Sequence, residues 1–388
     1  MNNSVSTYPV VIVGGGPVGL FLGICLEQAG IKCRILEKQS TPNNHPRALG
    51  IHPPSLEIFK SLGIHKLFIE KGIKIRQGHA FANSKKIGSL SFEKCPKPFN
   101  YVLSLPQNKT EEILEHHLNQ LNTNTLVRKA SVLDFSKEHN YLEIIYKKDG
   151  QYKTVRANFL VGCDGKESIV RKNMGVSFKG KSYPDTYVMG DFTENTTFGN
   201  DAAIFLCKEG LIESFPLPEN RRRWVVKTEQ YQSSNHRRVI ERAVSLRIDH
   251  SLSPTDHFML SSFGVEKRHA QSMFKKEILL AGDAAHIVSP IGGQGMNLGW
   301  LGAWDLSKCL EQIILYQQPA DTKLEAFENR RIKAMQNAIN RSEFNMWLGR
   351  KTQYPKIRNG VVKIMLNTPF SSLMARLFTM RGIQRWII

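Results

Sequence analysis

Followed by the spacing of its apolar and polar positions, the chain begins with a β-branched run at residues 9–13 that stops abruptly at glycines. Apolar residues then recur at helical spacing over residues 17–29, ahead of Gly30, and residues 32–37 form a second short apolar run. Strand, glycine turn, helix and strand within about 30 residues is the length of a βαβ unit. Helical periodicity returns over residues 53–62 and 108–121. Between them, residues 73–101 are polar, turn-rich and broken by Pro96 and Pro98, which predicts hairpins and loops. Strands are predicted at 131–135, 142–146 and 155–162. A mostly β stretch then continues to about residue 264, with a turn at Pro216, Pro218, Glu219 and Asn220. Helices resume at Met296. In the tail, Phe370, Leu373, Met374, Leu377 and Phe378 keep helical spacing around Arg376, and Arg381 and Arg385 flank Trp386. No period of 20–50 residues repeats.

Composition narrows the class. With 388 residues, 41% of them hydrophobic, the chain can bury a large core as one large or two interleaved domains. No apolar run reaches the roughly 18–20 residues of a membrane span, and no secretory leader pattern opens the chain, so a cytoplasmic protein is expected. Cys25, Cys33, Cys95, Cys163, Cys207 and Cys309 are scattered without metal-ligand or dithiol spacing, which argues against disulfides, zinc and thiol redox chemistry. The formal net charge of +19 raises nucleic acid or an anionic membrane as partners. The basic residues are spread along the chain, however, and the run Arg221–Arg222–Arg223 beside a turn is expected to be a solvated corner. No nucleic-acid module pattern appears, and a basic proteome background accounts for the charge more simply. Two readings of the tail stay open: peripheral contact of residues 366–388 with the inner face of a membrane, or packing across the domain interface. Packing is preferred, because such tails in globular enzymes more often cover their own core.

The first chemical signal is Gly14, Gly16 and Gly19, directly after the opening strand and at the start of a helix. Dinucleotide binding needs a tight turn, backbone close to a pyrophosphate and a helix N-terminus aimed at its charge, and glycines supply all three. Glu37, 18 positions past Gly19 at the end of the second strand, suits ribose hydroxyls and disfavours a 2′-phosphate. The motif leaves FAD and NAD both open. A second signal is the strand 279–282 delivering Asp283, then Ser289-Pro290-Ile291-Gly292-Gly293-Gln294-Gly295-Met296-Asn297 opening a long helix. An acid there can bind ribitol hydroxyls, and the helix end can stabilise negative charge on a reduced flavin. The third is a strand ending in Asp164-Gly165, followed by Ser168 and Arg171.

These three blocks, in this order and spacing, resemble the p-hydroxybenzoate-hydroxylase family of class A flavoprotein monooxygenases, from about residue 9 to 338. The resemblance implies an α/β fold. A Rossmann-like FAD-binding domain (1–72, 103–176 and 265–345) would be interleaved with a β-sheet substrate domain (73–102 and 177–264), followed by a C-terminal helical segment (346–388). It implies non-covalent FAD held by Gly14, Gly16, Pro17, Gly19, Glu37, Lys38, Asp164, Gly165, Gly282, Asp283, Pro290, Gly293, Gly295, Met296 and Asn297. It adds Arg47 near the FAD phosphates and Gln107 at the flavin. The added thioredoxin-like domain of phenol-hydroxylase relatives is not expected in a chain of this length.

The chemistry implied is reduction of FAD by NAD(P)H without a second Rossmann unit, reaction with O2 to a C4a-hydroperoxide, and oxygen transfer to an aromatic, polyketide-like or quinone-precursor molecule. A phenolic substrate would need a base or hydrogen-bond relay that the sequence does not identify. His286, Pro290 and Arg268 are candidates for positions near the flavin, although local hydrogen bonding suits His286 equally well and a surface place suits Arg268 and His269 better. Adjacent His116 and His117 cannot share a helix face, so no metal is expected there. Two other functions compete. A reductase of the geranylgeranyl-reductase type shares the scaffold and would add hydrogens instead of oxygen, and a non-catalytic flavin- or nucleic-acid-binding protein would oxidise no NAD(P)H. A flavin halogenase is disfavoured by the absence of a WxWxIP motif.

Overall fold

The structure, a computed structural model, describes residues 5–42, 48–82, 85–252 and 258–383. The opening run is the strand Thr7–Val13, whose last four residues are buried. It lies inside an eight-stranded sheet between Gln151–Gly162 and Cys33–Leu36, with Ile278–Leu280 and Leu126–Val127 beyond them, all five parallel. Strands covered on both faces need no polar side, which is why VVIV and ILL show no alternation. The helix Pro17–Gln28 starts on a proline at its first turn and buries Leu20 to Leu26, and Gln294–Ile314 crosses it.

A second eight-stranded sheet runs in the order His286–Ile287, Met259–Ala270, Phe178–Thr193, Arg221–Thr228, Gly210–Leu217, Ala202–Cys207, Gln77–Ala82 and Lys85–Ser91. Its pairs are antiparallel except that between Ala202–Cys207 and Gln77–Ala82. The register aligns Met189, Val225, Glu213 and Ile204 as one row across four strands, with Asp191, Arg223 and Phe215 in the row beside it. Side chains alternate between faces, so these two rows share a face.

The stretch read as mostly β to residue 264 contains a helix, His236–Ile248. Val239, Ile240, Ala243 and Val244 supply its one apolar face and pack on Val188, Phe192, Trp224 and Val226 across the far side of the second sheet. The signal was in the sequence but narrow, because the four apolar positions of that face sit among four arginines, a histidine and a glutamate. The expected solvated corner at Arg221–Arg223 is also corrected. Arg222 and Arg223 are fully buried, since they lie inside the strand Arg221–Thr228 and each finds a carboxylate, Glu194 and Asp191 respectively. Two helices, Pro355–Asn367 and Phe370–Phe378, pack on the edge strand Lys85–Ser91, where a Cβ on Gly88 would meet Leu366 Cβ at 2.8 Å. Met374 and Ala375 are buried there while Phe370 and Leu373 stay exposed. Arg385 and Trp386 lie outside the described residues. Among the described residues no helix is long and apolar enough to cross a membrane.

Candidate active site

Both sheets open onto one cavity of 1440 Å³. A drug-sized ligand typically fills about 300–1,000 Å³, so this space suits a dinucleotide and a second molecule together.

One wall is built from backbone. Gly14 has φ +104°, and a Cβ there would stand 2.4 Å from the carbonyl oxygen of Cys163; a Cβ on Gly19 would stand 2.0 Å from the Gly14 oxygen. Strand, turn and helix can approach this closely only as glycines. Gly16 differs, because a Cβ there would meet nothing within 4 Å. It ends the turn and caps the helix with no side chain, so the first helical N–H groups face the cavity. The protein itself does not require glycine at 16, but a pyrophosphate against the backbone does. Glu37 is held by Gly15 N–H at 2.6 Å on one oxygen and Gln39 N–H at 2.7 Å on the other, and its carboxylate edges the same space beside Lys38.

The second glycine-opened helix packs its first turns against the start of the first. Trp300 Nε1 donates to Pro17 O at 2.9 Å, and Cβ atoms on Gly282 and Gly299 would lie 3.1 and 2.7 Å from Val18. Asp283, presented by a short turn, opens into the cavity. Protein packed around its carboxyl, with the Glu266 charge adding to the effect, pushes it up to about 6. The side chain is nonetheless open to the cavity, so its protonation follows whatever fills that space. The third block is tied in by Arg171, which donates to Ala284 O at 2.9 Å and Lys166 O at 2.7 Å. Asp164 caps the helix Ile169–Asn173 through Ile169 N–H at 2.7 Å and leaves its other oxygen without a partner.

The facing wall is built from side chains. Met189, Ile204, Leu211, Phe215 and Val225 come from the second sheet, and Leu348, Val362, Met365, Leu366, Met374 and Phe378 from the C-terminal helices. Val225 and Met189 belong to one apolar cluster with Ile291 of the glycine loop, so the two walls touch there. Arg223 lines the cavity with both its Nε and Nη2 on Asp191, at 2.6 and 2.8 Å.

Of the residues singled out by sequence, Gly14, Gly16, Pro17, Glu37, Lys38, Gln107, Asp164, Gly165, Asp283, Pro290, Gly293, Gly295 and Met296 line this cavity. Gly19 and Gly282 stand behind its lining as packing points. Asn297 is also set back. Its amide accepts from His52 N–H and Ser55 Oγ and donates to Gly50 O and Gly293 O, all at 2.8–2.9 Å, so the side chain shapes the glycine loop and does not face the cavity. Arg47 lies outside the described residues. The candidates His286 and Arg268 are not brought to the cavity. His286 is buried opposite His269 between two strands, with burial holding its imidazole down to about 4, and Arg268 pairs with Glu266 at 2.8 Å. Two residues escaped sequence reasoning. His52 lines the cavity, buried against the Gly292–Gly293 backbone, and burial pushes it down to about 4. Glu213 is the acid in the middle of the apolar row. The signal for His52 was its place just ahead of a Pro-started helix; an alternating strand hides which face Glu213 takes.

Comparison with known proteins gives three findings. A family model described as FAD binding domain matches residues 7–342. An uncharacterized aromatic compound monooxygenase of Bacillus subtilis is 33% identical over 344 residues, covering 87% of this chain and 68% of that protein. A rifampicin monooxygenase of Streptomyces venezuelae is 31% identical over 77% of this chain, which spans 63% of that relative's length. Among solved structures, p-nitrophenol 4-monooxygenase from Pseudomonas putida superposes with a TM-score of 0.90 at 20% identity, covering 98% of this chain and all of the other.

Proposed function

The chain belongs to the FAD-binding-domain family of class A flavoprotein aromatic monooxygenases, and from that premise we propose that it uses NAD(P)H and O2 to hydroxylate an aromatic, polyketide-like or quinone-precursor molecule. The observation that carries the proposal is the shared cavity: the glycine motifs and Asp283 form one wall, and an apolar sheet face forms the other. The curated relatives are named for rifampicin, pentachlorophenol and tetracycline-type substrates, which supports a substrate of one or more aromatic rings.

When bound, FAD would take electrons from NAD(P)H and activate O2. The chain's residues bind and orient it. The N–H groups after Gly16 would receive the pyrophosphate, Glu37 the ribose hydroxyls and Asp283 the ribitol. The N-terminus of Gln294–Ile314 would offer its positive dipole end to negative charge on a reduced flavin. Asp164, Gly165 and Gln107 border the same site. The division into an FAD-binding unit (1–72, 103–176, 265–345), a substrate unit (73–102, 177–264) and a C-terminal segment (346–388) is part of this reading. The last of these closes the apolar side and keeps water from the reacting centre.

The test is to purify the protein, record its absorption spectrum and follow NADH and NADPH oxidation in air against phenols, naphthoquinols and tetracyclic compounds. A yellow protein, substrate-stimulated oxidation and a product heavier by one oxygen are expected. A product heavier by hydrogens alone makes it a reductase, and a colourless protein that binds no flavin overturns both.

A further inference from the structure

Glu213 has an unusual place. It sits mid-strand in Gly210–Leu217, with Val225 opposite it on one side and Ile204 on the other, in the middle row of the cavity face of the second sheet. Leu211 and Phe215, two residues away on the same strand, also line the cavity. The residue is 8% exposed, and among the described residues no hydrogen bond or ion pair reaches its carboxyl. A buried carboxylate without a partner is strongly disfavoured. A sheet face intended only to pack would place leucine there.

The ionisable groups around it are committed elsewhere. On the row beside it, Arg223 is bound to Asp191. On the row before, Lys227 is bound to Asp185, which also takes Arg350. The Tyr187 hydroxyl, buried behind the wall and without a partner, is held up by burial and then by the Glu213 charge. The other titratable lining groups belong to the glycine-motif blocks (Glu37, Lys38, His52, Asp164, Lys166, Glu167 and Asp283) or are Tyr231, His236 and Glu266; the lining from the C-terminal helices contains none. The carboxyl is therefore oriented into space that only a ligand fills. Val225, its neighbour on the next strand, shares a cluster with Ile291 of the glycine loop, so this carboxyl stands one strand away from the point where the two walls touch.

Resting on the monooxygenase reading, we propose that Glu213 accepts the hydroxyl proton of a phenolic substrate, so that the substrate class is a hydroxylated aromatic bound by its O–H. The O–H bond breaks, the proton passes to the Glu213 carboxylate, and the electron pair left on oxygen enriches the ring carbon that takes up oxygen. A proton acceptor works best when its affinity for protons is near that of the working medium. Burial supplies that, pushing Glu213 up to about 7. The sign follows: the carboxylate is the competent form, so activity rises as pH rises through about 7.

The experiment compares wild-type holoenzyme with Glu213→Gln and Glu213→Asp, with FAD saturation and thermal midpoint as controls. The readouts are phenol-stimulated NAD(P)H oxidation and hydroxylated product across pH 5–9. For Glu213→Gln we expect full flavin loading, a fall in kcat/KM on the order of 10²–10⁴-fold and loss of the acid limb near pH 7. Glu213→Asp should retain that limb at reduced rate. The proposal is overturned if Glu213→Gln keeps both rate and limb. If no phenol stimulates the wild-type holoenzyme while another aromatic is hydroxylated, the assignment of Glu213 fails and the monooxygenase reading stands. If nothing is hydroxylated, the reading fails and takes the proposal with it.

Discussion

The two walls of the cavity are made by different means. The cofactor wall is backbone: Gly14, Gly16 and Gly19 bring a strand, a turn and a helix end together, and two helix N-termini meet at Val18. The substrate wall is side chains, set by the register of a mixed sheet and closed by helices some 150 residues further along the chain. Backbone walls demand a residue type at a fixed spacing, whereas side-chain walls tolerate any set that fills the volume. The first wall therefore suits one common cofactor, and the second is where members of such a family can diverge in substrate.

The largest expected effect breaks the first wall. Gly14→Ala puts a Cβ at positive φ against a carbonyl oxygen and should destabilise by about 3 kcal/mol or more, seen as a lowered thermal midpoint and loss of bound flavin. Breaking the second wall at its ion pair comes next. Arg223→Ala strands the buried Asp191 and should cost about 3–5 kcal/mol, read by denaturant unfolding; an unchanged midpoint would mean that water reaches the pair. Gly16→Ala sharpens the contrast, since it has room in the protein. Its unfolding should stay within about 0.5 kcal/mol of wild type, while FAD affinity falls about tenfold, or about 1.4 kcal/mol. The smallest effect is a pH dependence. Asp283 ionises near 6 and serves as an acceptor when ionised, so FAD affinity should be greatest above pH 6 and decline as pH falls through it. In Asp283→Asn the affinity should be weaker and flat with pH.

The same contrast explains what could be read from the sequence. Gly14, Gly16, Gly19, Glu37, Asp164 and Asp283 are visible because each is tied to a strand end or helix start, a feature of local pattern. The lining from Pro355–Asn367 and Phe370–Phe378 was not visible, because only tertiary packing over Lys85–Ser91 brings it to the cavity. Buried Arg222 and Arg223 were misjudged for a related reason: charge runs are usually solvated, and the carboxylates that neutralise these two come from distant positions, Glu194 and Asp191. Of the two places open to His286, the structure shows a buried one, since Asp283 turns into the cavity while His286, three residues on, begins a strand with its side chain buried.

The central claim is that flavin and aromatic substrate share one cavity, from opposite walls. The most direct test replaces a residue of the substrate wall alone, Ile204→Trp, which fills the cavity beside Glu213, and titrates the holoenzyme with the phenol that best stimulates NAD(P)H oxidation. The account expects flavin content and FAD affinity to match wild type, while the phenol-induced change in the flavin spectrum and the stimulated oxidation both disappear. Persistence of both at wild-type phenol affinity would place the substrate elsewhere and contradict the account.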